Sequence, residues 1–195
     1  MGKNIYFSTG NIGDEDRKNL TGHKGKVFWF YGLSGSGKSA ISRAVEENLI
    51  SRGVLSFRLD GDNLRSGLNS DLGFSKMDRI ENIRRAAEAA KLLAEAGVVV
   101  LATFITPLIE NRATAKEILG DYFDEIYVKC SIETCKERDP KGLYERAIKG
   151  AIPEFTGISA PFEEPDNDVF ILDTDNSDEK TCVENATKHM MKIIK

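Results

Sequence analysis

Hydrophobic and polar positions alternate along this chain in two distinct rhythms. Short, almost continuous apolar runs recur: VFWFY at 27–31, VLSFRL at 54–59, VVVLATF at 98–104, EIYVKC at 125–130 and VFIL at 169–172. Runs of that length without strict alternation predict strands buried on both faces. Between them, apolar residues return every three or four positions, as expected of helices that bury one stripe. The clearest case is 78–96, where Ile80, Ile83, Ala87, Ala90 and Ala94 share a face and Gly97 ends the run. Further helices are predicted from Lys38 to about Arg52, closed by Gly53, and over 110–119, 133–138 and 178–194. Strands that alternate with helices imply a parallel sheet covered on both sides, an α/β three-layer sandwich with five strands. One domain, 1–195, accounts for the whole pattern.

Two segments fall outside the alternation. Residues 1–25 are polar and predict an irregular lead-in, with one short helix near Asp14–Leu20. Residues 139–167 hold Pro140, Pro153, Pro161 and Pro165. That stretch is too long for an ordinary connection and predicts a lid or substrate-binding loop.

Composition narrows the function classes. The chain has 195 residues, 41% hydrophobic and 30% charged, with a formal net charge of -4. An acidic balance argues against a general nucleic-acid binder. No run reaches the length of a membrane span, and MGKNIYFSTG lacks the apolar core of a secretory signal. Gly2 is followed by Tyr6 where a myristoylation site wants Ser or Thr. The expectation is a cytoplasmic protein without membrane or nucleic-acid partners. The three cysteines, Cys130, Cys135 and Cys182, lack zinc-site spacing and read as reduced, half-buried thiols. His23 and His189 stand alone and receive no role.

The sharpest chemical signal is Gly32-Leu33-Ser34-Gly35-Ser36-Gly37-Lys38-Ser39, which matches G-x-x-x-x-G-K-[ST] between a buried strand and a helix. Glycines let successive backbone N–H groups turn toward phosphate oxygens, and the following helix adds its positive end. Lys38 is expected to reach the β- and γ-phosphates of ATP, and the Ser39 hydroxyl to ligate Mg²⁺. Ala40 follows, where a second hydroxyl is frequent. The guanine-reading N-K-x-D of GTPases is absent.

Three later stretches are not needed by a phosphate loop. Asp60-Gly61-Asp62-Asn63-Leu64-Arg65 closes the second strand, at the edge where parallel sheets place ligands. Two carboxylates and an arginine there suit cation ordering, proton acceptance and anion binding. Phe74, in a glycine-flanked loop, and Arg79 with Asn82, on one helix face, suit an aromatic anion. Phe104-Ile105-Thr106-Pro107 closes the third strand, and Arg138-Asp139-Pro140-Lys141-Gly142-Leu143-Tyr144 and Glu154-Phe155-Thr156-Gly157 fall in the long loop. The residues alone leave other small-molecule kinases and a non-catalytic nucleotide-binding module open.

As a set, GLSGSGKS, LDGDNLRSGLNSDLGFS, DRIENIRR, FITP, RDPKGLY and EFTGI resemble the adenylylsulfate kinase family, from about residue 4 to the C-terminus. The resemblance implies transfer of the ATP γ-phosphoryl to the 3′-hydroxyl of adenosine 5′-phosphosulfate in sulfate activation, with Mg²⁺. It implies that Asp62 accepts or orients the hydroxyl proton and that Asp60 orders Mg²⁺ through water. Asn63, Arg65, Arg79 and Asn82 would hold the substrate, Phe74 and Phe155 would sandwich its adenine, and Ile105, Thr106 and Glu154 would line the pocket. Lys141 would bridge the phosphates of both substrates, and Arg138 would help hold ATP. The family commonly reads FISP, with the serine described as a phosphorylated intermediate, so Thr106 marks that position here. Leu108-Ile109-Glu110 precede Arg112 where the family often has an aromatic and basic residues, and an N-terminal Trp-His pair is missing. The resemblance also implies a homodimer, and it leaves open whether the chain works alone or beside an ATP sulfurylase.

Overall fold

The computed structural model describes residues 10–165 and 169–195. The start of the lead-in, with Gly2 and Tyr6, lies outside the described residues, as do positions 166–168 of the long loop. A five-stranded parallel sheet forms from β1 (Lys26–Tyr31), β2 (Ser56–Asp60), β3 (Val99–Thr103), β4 (Phe123–Lys129) and β5 (Phe170–Asp173), in the order β2-β3-β1-β4-β5. Helices α1 (Asp14–Thr21), α2 (Lys38–Ser51), α3 (Gly61–Arg65), α4 (Lys76–Glu95), α5 (Ile109–Leu119), α6 (Ile132–Arg138), α7 (Leu143–Ile148) and α8 (Glu179–Ile194) complete it.

The central strand explains the two-sided core. Side chains alternate across a strand, so β1 sends Phe28 and Phe30 one way and Val27, Trp29 and Tyr31 the other. Phe28 and Phe30 pack with Ile41, Val45 and Leu49 of α2 and with Ala186, Met190 and Ile194 of α8. Val27, Trp29 and Tyr31 pack with Ile83, Ala86, Ala87 and Ala90 of α4 and with Ala115 and Leu119 of α5. The alanines on α4 let it lie close to the sheet. A third, smaller cluster lies over the loop end: Leu33, Cys130, Cys135, Tyr144, Ala147 and Phe155.

Element ends follow side-chain chemistry that the apolar pattern does not register. Helix α4 begins at Lys76, two residues before the predicted start, because Ser75 and Asp78 form a reciprocal capping box. Asp178 caps α8 by accepting from the Thr181 N–H at 2.7 Å. The stretch 139–167 is not wholly irregular. Helix α7 forms inside it because the Asp139 carboxylate accepts from the N–H groups of Leu143, Tyr144 and Glu145 at 2.8, 3.2 and 3.1 Å. The residues after β2 likewise form the short helix α3, capped by Asp60.

Both histidines and all three cysteines are structural. His23 is buried, and its Nε2 accepts from the Leu55 N–H at 3.1 Å while Nδ1 faces the Lys24 carbonyl at 3.3 Å. That pair of partners assigns the proton to Nδ1. His189 stacks on Phe170 with centroids 4.0 Å apart and bonds Asp124 at 2.9 Å. Cys130, Cys135 and Cys182 are free thiols, and all are buried rather than half-buried. No described helix is long and apolar enough to cross a membrane.

Gly25 sits where the chain enters β1 against the end of α4, and a Cβ there would lie 2.0 Å from the Ala94 carbonyl oxygen. Backbone cannot yield as a flexible side chain can. Gly25→Ala is expected to lower unfolding free energy by more than ~2 kcal/mol. Urea denaturation checks this, and an unchanged midpoint would contradict the close approach.

Candidate active site

The site occupies the carboxyl edge of the sheet, where β1, β2 and β3 end side by side. The turn after β1 begins at Gly32, with φ 149° and its N–H on the Ile105 carbonyl at 3.3 Å. A Cβ at Gly32 would lie 2.4 Å from the Val128 carbonyl oxygen, so only glycine lets the chain leave β1 this close to β4. The loop ends at Gly37, whose φ of 97° starts α2.

Lys38 is drawn back into this loop. Its Nζ donates to the Gly32 carbonyl at 2.9 Å, the Leu33 carbonyl at 2.6 Å and Ser36 Oγ at 3.3 Å. Burial pulls its pKa down from 10.5 to about 8, against the opposing fields of Cys135 and Asp60. The ammonium is thus held by neutral dipoles in a dry pocket, the arrangement a phosphate would relieve.

Asp60, the last residue of β2, joins three elements. Its Oδ2 accepts from Ser39 Oγ at 2.9 Å and from Thr103 Oγ1 at 3.0 Å, and its Oδ1 accepts from the Asp62 N–H at 3.0 Å. Partial burial opposes its ionisation, but these hydrogen bonds, with Arg58 nearby, outweigh burial and hold the carboxyl below its usual range. Asp62 projects into solvent one turn later and pairs with Lys141 Nζ from the long loop. Residues 79 positions apart in sequence thereby meet beside Ser39.

The segment after α3 forms the other wall. Arg65 donates to the Leu72 and Gly73 carbonyls at 3.2 and 2.7 Å, and its guanidinium lies 4.4 Å from the Phe74 ring centroid. Burial, and then the charge of Arg79, depress the Arg65 pKa. Arg79 donates to the Phe74 carbonyl at 2.9 Å and to the Glu154 carbonyl at 3.0 Å, joining this wall to the long loop. Asn82 is buried and accepts from Asn69 at 3.0 Å. Asn63 is exposed on α3. Phe74 is 68% exposed whereas Phe155 is 8% exposed and packs edge-on against Tyr144, so the two rings expected to sandwich a base differ sharply in availability.

Thr106 is buried, and its hydroxyl accepts from Trp29 Nε1 at 3.0 Å. That engagement fixes the hydroxyl against the indole of Trp29. Thr106 and Glu154, with φ of 38° and 50°, are the non-glycine residues in the left-handed region among those described. An arginine holds each carbonyl: Arg112 donates to Thr106 O at 2.9 Å, and Arg79 to Glu154 O. Strained backbone of this kind persists only where its surroundings fix it. Arg112 also donates to the Glu163 carbonyl at 2.9 Å and lies over the Tyr31 ring. Arg112, at the end of the segment that departs from the family pattern, thus has a structural role.

Arg138, at the end of α6, donates to the Thr174 hydroxyl at 3.2 Å and to its carbonyl at 2.7 Å, while the Thr174 hydroxyl donates toward the Ser36 carbonyl at 3.1 Å. Thr174 was not singled out from the sequence; its position one residue beyond β5 was the available signal. Ala40, in the first turn of α2, is exposed. The Gly35 Cα faces Cys135, where an added Cβ would lie 3.1 Å from the carbonyl oxygen, and this fixes α6 against the loop.

Comparison with known proteins gives a consistent outcome. Residues 24–173 match the model of the family described as adenylylsulphate kinase. An adenylyl-sulfate kinase of Clostridium acetobutylicum is 47% identical over 187 residues, covering 96% of this chain and 94% of the relative. A probable adenylyl-sulfate kinase of Bacillus subtilis is 49% identical, covering 89% and 88%. A solved Mycobacterium tuberculosis APS kinase in complex with AMPPNP and APS is 44% identical, with a TM-score of 0.79, covering 87% of this chain and 97% of that one.

The Lys38 environment sets a pH dependence. With the pKa at about 8, the ammonium form prevails below that pH and is lost as pH rises through it. Phosphate oxygens favour the ammonium, so nucleotide binding above pH 8 must take up a proton. Calorimetric titration with MgADP from about pH 6.5 to about pH 9.5 should show affinity falling toward ~tenfold per unit above the midpoint. Flat affinity across that range would contradict it.

Proposed function

The chain belongs to the adenylylsulphate kinase family, and from that premise we propose how its residues divide the work. The reaction is transfer of the γ-phosphoryl of ATP to the 3′-hydroxyl of adenosine 5′-phosphosulfate, giving 3′-phosphoadenylyl sulfate and ADP. The observation that carries the division is the meeting of Asp62 and Lys141 beside the Ser39–Asp60 pair.

On the donor side, the backbone of 32–39 cradles the phosphates, and Lys38 exchanges its loop carbonyls for β- and γ-oxygens. Ala40 adds no polar group there. Arg138, with Thr174, borders the nucleoside end. Mg²⁺ fits the Ser39 hydroxyl with the Asp60 carboxylate behind it, because it favours oxygen donors and keeps several waters. When bound, the cation neutralises charge between the phosphates.

On the acceptor side, Arg65, Arg79, Asn82 and Asn63 hold ribose and phosphosulfate. Phe74, Phe155 and Glu154 form the base pocket with Ile105 and Thr106. Phe155 must turn part of its ring from Tyr144 toward the base. Asp62 accepts the 3′-hydroxyl proton as the oxygen attacks the γ-phosphorus in line and ADP departs. Lys141 leaves Asp62 to lie between the two sets of phosphate oxygens, so substrate arrival frees the base. Thr106 shapes the pocket, and direct transfer needs no phosphorylated threonine. A homodimer in solution completes the reading.

Two measurements test these roles. Asp62→Asn should reduce kcat by ~10²-fold or more, the usual scale for a general base, with MgADP affinity little changed. Comparable turnover would remove Asp62 from the chemistry. Phe155→Ala should weaken adenylyl sulfate binding by ~1–3 kcal/mol, a stacking contribution, with ADP affinity retained. An unchanged dissociation constant would place the base elsewhere.

A further inference from the structure

Tyr144 belongs to neither half of the site, yet it touches both. It is the second residue of α7 and is 1% exposed, unusually dry for a side chain in a lid. Its hydroxyl donates to the Ser34 carbonyl at 2.8 Å, at the tip of the phosphate loop. Its ring meets Phe155 edge-on, with centroids 5.0 Å apart and planes at 78°. Burial, with the nearby Cys135 thiol next in effect, raises its pKa well above the ordinary phenol range, so the hydroxyl stays a donor at any working pH. Asp139 fixes the backbone of the same residue at 3.2 Å, three positions from Lys141.

We infer that Tyr144 is a positioning residue that couples the two substrate sites: its hydroxyl reads the conformation of the phosphate loop, and its ring edge sets the attitude of Phe155. The inference rests on the proposed role of Phe155 in base binding. The physical route is short. Ser34 lies in a loop whose carbonyls at Gly32 and Leu33 hold Lys38 in the present conformation. When phosphate claims Lys38, those peptide groups are released and the loop settles around the anion. A buried phenol bonded to the adjacent carbonyl must follow, because an unpaired buried hydroxyl is costly. Leu33, Tyr144 and Phe155 share one small core, so that displacement has few other outlets. Coupling through packed groups requires a differential contact in the two states, and the Tyr144–Ser34 bond supplies it.

The experiment measures the dissociation constant of adenylyl sulfate with and without saturating AMPPNP and Mg²⁺, in the full chain and in Tyr144→Phe. That substitution keeps the ring edge and deletes only the donor. In the unaltered protein the nucleotide analogue should tighten adenylyl sulfate binding by ~5-fold or more, the lower range of ordinary site coupling. Tyr144→Phe should bring that factor close to one, while each ligand alone binds within about twofold of its usual affinity, since both sites retain their contacts. A merely structural tyrosine would lower melting temperature and both affinities together without changing their ratio. A second variant, Phe155→Leu, cuts the other end of the link and should also abolish the ratio while sparing AMPPNP affinity. A factor near one in the unaltered protein, or a full factor in Tyr144→Phe, overturns the inference. If instead Phe155→Leu leaves adenylyl sulfate affinity untouched, the placement of the base is what fails.

Discussion

One carboxylate holds the reactive edge of this molecule in register. Asp60 accepts hydrogen bonds from the first turn of α2, from the start of α3 and from the end of β3. Each donor comes from a different strand–loop unit, so their relative positions follow from a single side chain with two oxygens. The hydrogen bonds keep that side chain ionised despite burial. Uncharged, it would lose acceptor capacity toward at least one partner, and the Ser39 hydroxyl, proposed above to meet the cation, would lose its anchor. The alignment of Ser39 with Asp62 depends on it.

Around that centre, the site is arranged so that each cation has an internal substitute partner. Lys38 is held by loop carbonyls, Lys141 by Asp62, and Arg79 by the Phe74 and Glu154 carbonyls. In the proposed division of roles, anionic substrates exchange these contacts rather than creating them in empty space. The exchange keeps charged groups paired throughout, which a half-buried site requires. It also means that net affinity reflects a difference between two sets of contacts.

The sheet and the donor loop were legible in the sequence because their physics is local. A buried parallel strand must be apolar throughout, and a loop that curls around phosphate must carry glycine at fixed places. Gly32 bears this out, since no other residue fits beneath Val128. What escaped reading depends on contacts made at a distance. Helix α7 hides in a proline- and glycine-rich stretch because its cap, Asp139, lies four residues ahead of Leu143. Arg112 marked only a departure from the family pattern, yet it is buried and holds a strained carbonyl six residues earlier. Thr174 lies 138 positions from the Ser36 carbonyl it touches. Phe74 and Phe155 read alike in sequence, but one stands exposed and the other is folded into a core.

The strand order β2-β3-β1-β4-β5 has a consequence for where the residues of the site come from. The donor loop follows the middle strand. Residues assigned to the acceptor come mainly from the β2–β3 side, and Arg138 and Thr174 come from the β4–β5 side. The central strand lies between these two groups of residues, and the long loop, through Lys141 and Glu154, reaches the β2–β3 side while Arg138 and Thr174 meet on the other.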